Sequence, residues 1–322
     1  MKVLVMKGLT LPEVSAADAA QIEEAAGPGA MVTVVDGVRA AFEPAPSCEV
    51  VLGPMPRSLF EKAKALRWVH ATSSGIDEFM YPEFRDSDVL LTSEKGLVGG
   101  HLADTGFGLL LAITRRIATA IRLGAANWDA REAMRKEELE LEGMTMGIVG
   151  FGGTGRAMAR RGGAFGMNCL AVDAMPVLGG DGVEEVWPTS RLPELLSASD
   201  VVAICCPLTP ATKHLFDDAA FAVMKNGAIL VDVTRGEIVD GDALVRALAS
   251  GRLGGAALDV APMEPLPADH PLWSFDNVVM TPHTAGASQF RAPRNLARFC
   301  DNLRRYRAGE DLVGLIDKHA GY

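Results

Sequence analysis

Residues 147–159 read GIVGFGGTGRAMA, an apolar strand pattern running through three glycines, Gly150, Gly152 and Gly155, into a helical pattern. A G-x-G-x-x-G loop needs its first glycine to turn tightly, its second so that backbone can approach a pyrophosphate, and its third so that helix packs on strand. The amino terminus of the following helix then presents N–H groups to negative charge. On this reading Gly150, Gly152, Gly153, Thr154 and Gly155 form a phosphate cradle. The next strand pattern, NCLAVD, ends in Asp173, 18 residues after Gly155, near the spacing at which an acid receives an adenosine ribose.

Strand, loop, helix, strand and acid in that order predict dinucleotide binding. Asp173 would repel a 2′-phosphate, and AMPVLGG after it holds no Arg or Lys, so the expected cofactor is NAD and not NADP.

Outward from this loop, short β-branched runs alternate with helical patterns, the signature of βα units on parallel sheets. Before it, KVLVM, MVTVVD, EVVLG, LRWVHAT and VLLTS read as strands, with helices over residues 12–26 and 57–66. A pattern from about residue 100 to 126 reads as one connecting helix. After the loop, NCLAVD, DVVAICC, AILVDVT, GAALDV and NVVMTPH read as the later strands of a second sheet, and a basic amphipathic helix starts near Phe290.

At 322 residues the chain is long enough for two domains, each with its own core. Its 31 Lys and Arg against 41 Asp and Glu leave a net charge of −10, and no basic run occurs, which argues against a nucleic-acid partner. Five cysteines, odd in number and never in C-x-x-C spacing, suit a reducing compartment and give no metal or disulfide framework. Cys205 and Cys206 read as the small apolar end of a strand. The opening MKVLVMKG reads as a first strand and not a signal peptide, and GFGLLLAI is too short to cross a bilayer, so the expected location is the cytoplasm.

Three later strand patterns finish in polar groups: Arg235 after AILVDVT, Asp259 and then Glu264 after GAALDVAPM, and His283 after NVVMTP. In doubly wound sheets ligands lie beyond the carboxyl ends of the strands. There a planar guanidinium can grip a carboxylate, a histidine can exchange a proton near neutral pH, and an acid can orient it. His70, His101, His214, His270 and His319 show no such pairing and read as structural.

SSGID (73–77), GIVGFGGTG, DVVAICCPLTPATKHLF, DVTRGEIVDGDALVRAL, GAALDVAPMEPLP and MTPHTAG, in this order, make the chain similar to the D-isomer-specific 2-hydroxyacid dehydrogenases. The resemblance implies that Arg235 binds the substrate's carboxylate and carbonyl, that His283 is the acid/base and that Glu264 is its partner. It assigns backbone at Ser74 and Gly75 to the substrate carboxylate, and Pro207, Thr212, Thr234, Asp259 and Gly286 to the cofactor. Ala103-Asp104 stands where the family usually has Ala-Glu, Thr234 where a smaller residue is common, and Gly153 where a larger one is frequent.

The expectation is therefore an α/β protein of two doubly wound parallel-sheet domains. A Rossmann NAD-binding domain (99–290) is inserted into a smaller, flavodoxin-like substrate domain (1–98 and 291–322), with the active site in the cleft between them. The chain should move hydride between a nicotinamide and a small 2-hydroxy acid/2-keto acid pair, as a homodimer by resemblance. Two alternatives share the fold: an NAD-sensing, corepressor-like binding protein, and a phosphite or formate dehydrogenase. The formate enzymes carry glutamine in place of Glu264.

Overall fold

Two parallel sheets hold the twelve strands of the computed structural model, which describes residues 1–322. By contacts the chain divides into two units, Met1–Val98 with Ala287–Tyr322, and Gly99–Gly286.

The first unit contains β1 (Lys2–Met6), α1 (Ala16–Ala26), β2 (Met31–Val35), α2 (Gly37–Ala41), β3 (Val50–Leu52), α3 (Arg57–Phe60), β4 (Trp68–His70), α4 (Pro82–Arg85), β5 (Leu90–Thr92) and the last helix, α12 (Arg291–Ala308). Its sheet order, β2-β1-β3-β4-β5, is the flavodoxin-like order. The expected helix over 12–26 starts only at Ala16, because Ser15 and Asp18 form a capping box: the Ser15 hydroxyl accepts the Asp18 N–H (3.1 Å) and the Asp18 carboxylate accepts the Ser15 N–H (2.8 Å). The helix expected over 57–66 makes a single turn. Beyond Phe60 the chain tightens, with the Lys62 N–H on the Leu59 carbonyl and the Lys64 N–H on the Lys62 carbonyl, while Leu59, Ala63 and Leu66 still reach the core. α12 buries Phe299 against Trp68, ring centres 5.3 Å apart, and Tyr306 stacks on the same indole at 5.6 Å.

The second unit runs α5 (Gly99–Thr114), α6 (Ile117–Leu123), α7 (Arg131–Glu137), β6 (Thr145–Val149), α8 (Gly153–Ala164), β7 (Asn168–Asp173), β8 (Val186–Pro188), α9 (Leu192–Ala198), β9 (Val201–Ile204), α10 (Asp218–Val223), β10 (Ala228–Asp232), α11 (Gly241–Ala249), β11 (Leu253–Leu258) and β12 (Val278–Met280). Its order, β12-β11-β10-β9-β6-β7-β8, reverses direction between β6 and β9, the switch point at which doubly wound sheets bind ligands. The strands are buried on both faces, as the helical layers of a parallel sheet require. β8 was not among the expected strands.

The single connecting helix expected over 100–126 is broken. Arg116 adopts a left-handed conformation (φ 54°) between α5 and α6, and the returning chain docks there: the Leu139 N–H donates to the Thr114 carbonyl (2.8 Å), Arg115 pairs with Glu138 (2.8 Å) and Arg116 with Glu137. Tertiary contacts thus override a helical pattern whose propensity is only a weak prior. No helix is long and apolar enough to cross a membrane.

Candidate active site

β6 delivers the glycine loop. Gly150 has φ 96°, a left-handed conformation that favours glycine, and a side chain there would meet the Cys206 amide nitrogen at 2.6 Å. A Cβ on Gly155 would fall 2.1 Å from the Gly150 carbonyl oxygen, so this glycine lets α8 sit on the loop. Gly152 caps α8 without any side-chain hydrogen bond, and a Cβ there would meet nothing within 4 Å. The start of α8, including Gly153 and Thr154, is therefore an uncapped helix terminus with open space ahead of Gly152. That geometry fits a pyrophosphate.

Asp173 ends β7 beside the loop. Its carboxylate accepts the Phe151 N–H (2.6 Å) on one oxygen and the Met175 N–H (2.8 Å) on the other. Its charge is thus fixed at the edge of the loop, with lone pairs left for ribose hydroxyls. Two arginines of α8 reach the segment after it, which sequence alone did not reveal. Arg156 donates to the Leu178 carbonyl (2.7 Å) and to Asp181 (3.3 Å), and Arg160 donates to Asp181 (2.8 Å). Both hold the Asp181 carboxyl below the usual range, Arg160 most strongly.

The loop after β9 carries Pro207 and Thr212, tied together by the Thr212 hydroxyl, which donates to the Pro207 carbonyl (2.6 Å). Burial pushes the Cys206 thiol up to about 12, which suits the structural role expected of the cysteine pair.

Beyond β10, β11 and β12 the three expected strand-end groups arise from neighbouring loops, and two of them, Glu264 and His283, pair directly. At the end of β10 the Asp232 carboxylate accepts the Thr234 N–H and hydroxyl, both at 2.8 Å, and shapes the turn that launches Arg235. The next residue, Gly236, lies against the loop after β11: a Cβ there would fall 1.9 Å from the Ala261 carbonyl oxygen. Within that loop Glu264 accepts the Ala261 N–H (3.1 Å), and its second oxygen meets His283 Nδ1 at 2.8 Å.

Asp259, fully buried at the end of β11, holds the histidine loop. Its carboxylate accepts the Thr281 hydroxyl (2.6 Å), the Thr284 N–H (2.9 Å) and the Ala285 N–H (2.9 Å), while its carbonyl accepts the His283 N–H (2.7 Å). His283 sits at φ 54°, a conformation that costs a non-glycine residue energy and persists only where neighbours impose it. A carboxylate can only accept, so the Nδ1 that faces Glu264 carries hydrogen and Nε2 is left for proton exchange. Both side chains remain about two-fifths exposed, so solvent reaches the pair.

Gly286 follows the anchored Ala285. Ser74 and Gly75 belong to the other unit, in a half-buried turn after β4 where the Ser73 hydroxyl donates to the Gly75 carbonyl (2.8 Å). His70 is buried, bonded through Nδ1 to the Thr92 hydroxyl (2.6 Å), and its pKa is lowered to about 3 by burial, as a structural histidine requires. Asp104, where the family usually has Glu, pairs with Arg161 of α8 at 2.7 Å.

A family model for the NAD-binding domain of the D-isomer-specific 2-hydroxyacid dehydrogenases matches residues 107–285. A glyoxylate reductase of Korarchaeum cryptofilum is 36% identical over 82% of this chain and 80% of its own. A D-isomer-specific 2-hydroxyacid dehydrogenase family protein of Aeromonas salmonicida superposes with a TM-score of 0.79 at 29% identity, covering 98% of this chain and 99% of that one. A relative from Xanthobacter autotrophicus, solved with NADPH and MES, gives 0.80 at 26% identity over 99% of each chain. Fold and glycine loop define a nicotinamide-dependent dehydrogenase of two parallel-sheet units. The chain belongs to the D-isomer-specific 2-hydroxyacid dehydrogenase family, whose members transfer hydride between NAD(P) and a 2-hydroxy acid/2-keto acid pair.

Asp232 generates a stability prediction. Its second oxygen is buried without a hydrogen-bond partner, and its pKa is raised from 3.8 to about 7, chiefly by desolvation. An acid whose folded pKa is raised binds its proton more tightly folded than unfolded, so stability is lost as pH rises from about 4 through about 7. Asp232→Asn keeps an oxygen for Thr234 and removes the ionisation. The melting temperature of Asp232→Asn relative to wild type should climb between pH 5 and 8 and level off above. A difference independent of pH would show that Asp232 does not titrate there.

Proposed function

We propose that the protein reduces a short 2-keto acid, of the glyoxylate or hydroxypyruvate kind, to the D-hydroxy acid with NADH. The observation that carries this reading is the 2.8 Å pair of His283 Nδ1 and Glu264, with Arg235 on a loop that follows a neighbouring strand. Arg235 grips the substrate's carboxylate and carbonyl with its fork and polarises the C=O bond. Gly150, Gly152, Gly155 and the start of α8 would hold a nicotinamide cofactor, which would supply the hydride that reduces the carbonyl carbon. His283 delivers the proton from Nε2 to the carbonyl oxygen, and its exposed edge recovers one from solvent. Glu264 holds the ring and stabilises the charged form that must donate. Oxidation of the hydroxy acid runs the same steps backwards.

NADH rather than NADPH fits the charges. Asp173 stands where a 2′-phosphate would need cations, and Arg156 and Arg160 are committed to Asp181. The resemblance adds Pro207, Thr212, Thr234 and Gly286 as further cofactor contacts. A cytoplasmic location suits five cysteines that are all free. A homodimer suits the apolar side chains exposed from α6 to the following turn: Ile117, Ile121, Leu123 and Trp128.

Purified protein should turn over NADH with glyoxylate or hydroxypyruvate and give the D product. Arg235→Ala should lower kcat/KM by about 10²–10³-fold, and Glu264→Gln by about 10–100-fold. Formation of the L product, or wild-type turnover by Arg235→Ala, contradicts the proposal. An enzyme inert toward every 2-keto acid but binding NADH would favour the binding-protein alternative.

The cofactor assignment has its own check. NADH should be preferred by about tenfold or more, equivalent to ~1.4 kcal/mol, and Asp173→Ala should narrow that gap. Wild-type preference for NADPH would overturn it. For the assembly, light scattering after size exclusion should give twice the 34.1 kDa chain mass for wild type and a smaller species for Ile121→Glu. A wild-type monomer rejects the dimer.

A further inference from the structure

We propose that Glu94 and Arg291 form a positioning pair that sets the anion-binding face of the loop 72–75. The inference rests on the reading of the protein as a 2-keto acid reductase in which Ser74 and Gly75 meet the substrate carboxylate.

Glu94 follows β5 and is wholly buried, an unusual place for a carboxylate. Arg291, in the first turn of α12, faces it from 197 residues away. Its Nη2 lies 2.6 Å and its Nε 3.0 Å from Oε2, with Nε also 3.2 Å from Oε1. Asn295, one turn on, donates to Oε1 at 3.1 Å. Burial raises the pKa of Glu94, and Arg291 and Asn295 oppose that rise. A buried ion pair adds little stability over well-packed apolar side chains, so its presence calls for a reason other than stability.

The reason lies in what else the pair touches. Arg291 Nη2 also donates to the Thr72 carbonyl (3.3 Å), and the Glu94 N–H donates to the Ser73 carbonyl (3.3 Å). In a trans peptide the C=O and the following N–H point to opposite sides. Drawing the carbonyls of residues 72 and 73 toward the ion pair therefore turns the N–H groups of Ser73 and Ser74 away from it. The Ser73 hydroxyl takes the Gly75 carbonyl in the same manner and turns out the N–H of Ile76. The N–H groups of Ser73, Ser74, Gly75 and Ile76 donate to no acceptor within the chain. Successive backbone donors left free in this way make a nest for an anion. Glu94 and Arg291 touch no substrate on this account; they act through the loop.

Purified Glu94→Gln and Arg291→Lys would be compared with wild type for glyoxylate reduction, for NADH affinity by fluorescence, and for affinity toward oxamate by calorimetry. Each variant should raise the KM for glyoxylate and the Kd for oxamate by about tenfold, the loss expected when buried hydrogen bonds are broken. kcat should stay within about threefold and NADH affinity should not change, because a lost ground-state contact appears in KM. Should Glu94→Gln be too unstable to purify, Arg291→Lys decides by the same readouts. A folded variant with unchanged KM and oxamate affinity overturns the proposal, as does a parallel loss of NADH affinity, which would mark a general structural defect. If wild type reduces no 2-keto acid, the functional reading fails separately, and oxamate binding by wild type against Glu94→Gln still decides for or against the loop.

Discussion

The end of the Gly99–Gly286 unit that carries Arg235, Glu264 and His283 depends on one buried carboxylate, Asp259, where β11 stops. Its oxygens accept three donors from residues 281–285, and its own backbone receives the His283 N–H. That cage offsets the about 1–3 kcal/mol that a left-handed conformation costs a non-glycine residue such as His283. With the backbone held there, the ring lies against Glu264. The register of β10, β11 and β12 sets where the three strands end, and so decides that Arg235, Glu264 and His283 arise from adjacent loops.

The two units use a common device. In each, an acid at or just past the end of a parallel strand is buried, where an unpaired charge is costly; Asp232 and Asp259 accept donors of the loops they hold, whereas Glu94 accepts those of Arg291 and Asn295 on α12. Asp259 holds the histidine loop, Asp232 shapes the turn before Arg235, and Glu94 with Arg291 draws on the carbonyls of 72 and 73. Asp232 is the least satisfied of them, with one oxygen unpartnered and Asp259 raising its pKa further.

The parts legible in the sequence were those that backbone chemistry dictates locally. Gly150 needs its positive φ and Gly155 its missing Cβ, so G-x-G-x-x-G before Asp173 announced the dinucleotide fold. Alternating strand and helix patterns announced two parallel sheets. What stayed hidden was set by contacts distant in sequence. The break at Arg116 depends on Glu137 and Glu138, and the approach of Arg156 and Arg160 to residues 178–181 depends on how α8 packs. Glu94 finds its partner 197 residues later, and its only local signal was an acid directly after an apolar strand. Asp232 carried the same faint mark, a charge closing AILVD. The short β8 was missed because VWP has one β-branched residue and closes on proline, unlike the equally short VVL of β3 and VVM of β12.

The tautomer of His283 tests the account most directly, because the mechanism needs Nδ1–H on Glu264 and Nε2 free to exchange. Nitrogen-15 NMR of histidine-labelled protein above the imidazole titration reads it, with the resonance assigned by its loss in His283→Asn. The account predicts a neutral ring protonated at Nδ1. A neutral ring protonated at Nε2 would mean that Glu264 does not hold His283 in the orientation described, and would contradict it.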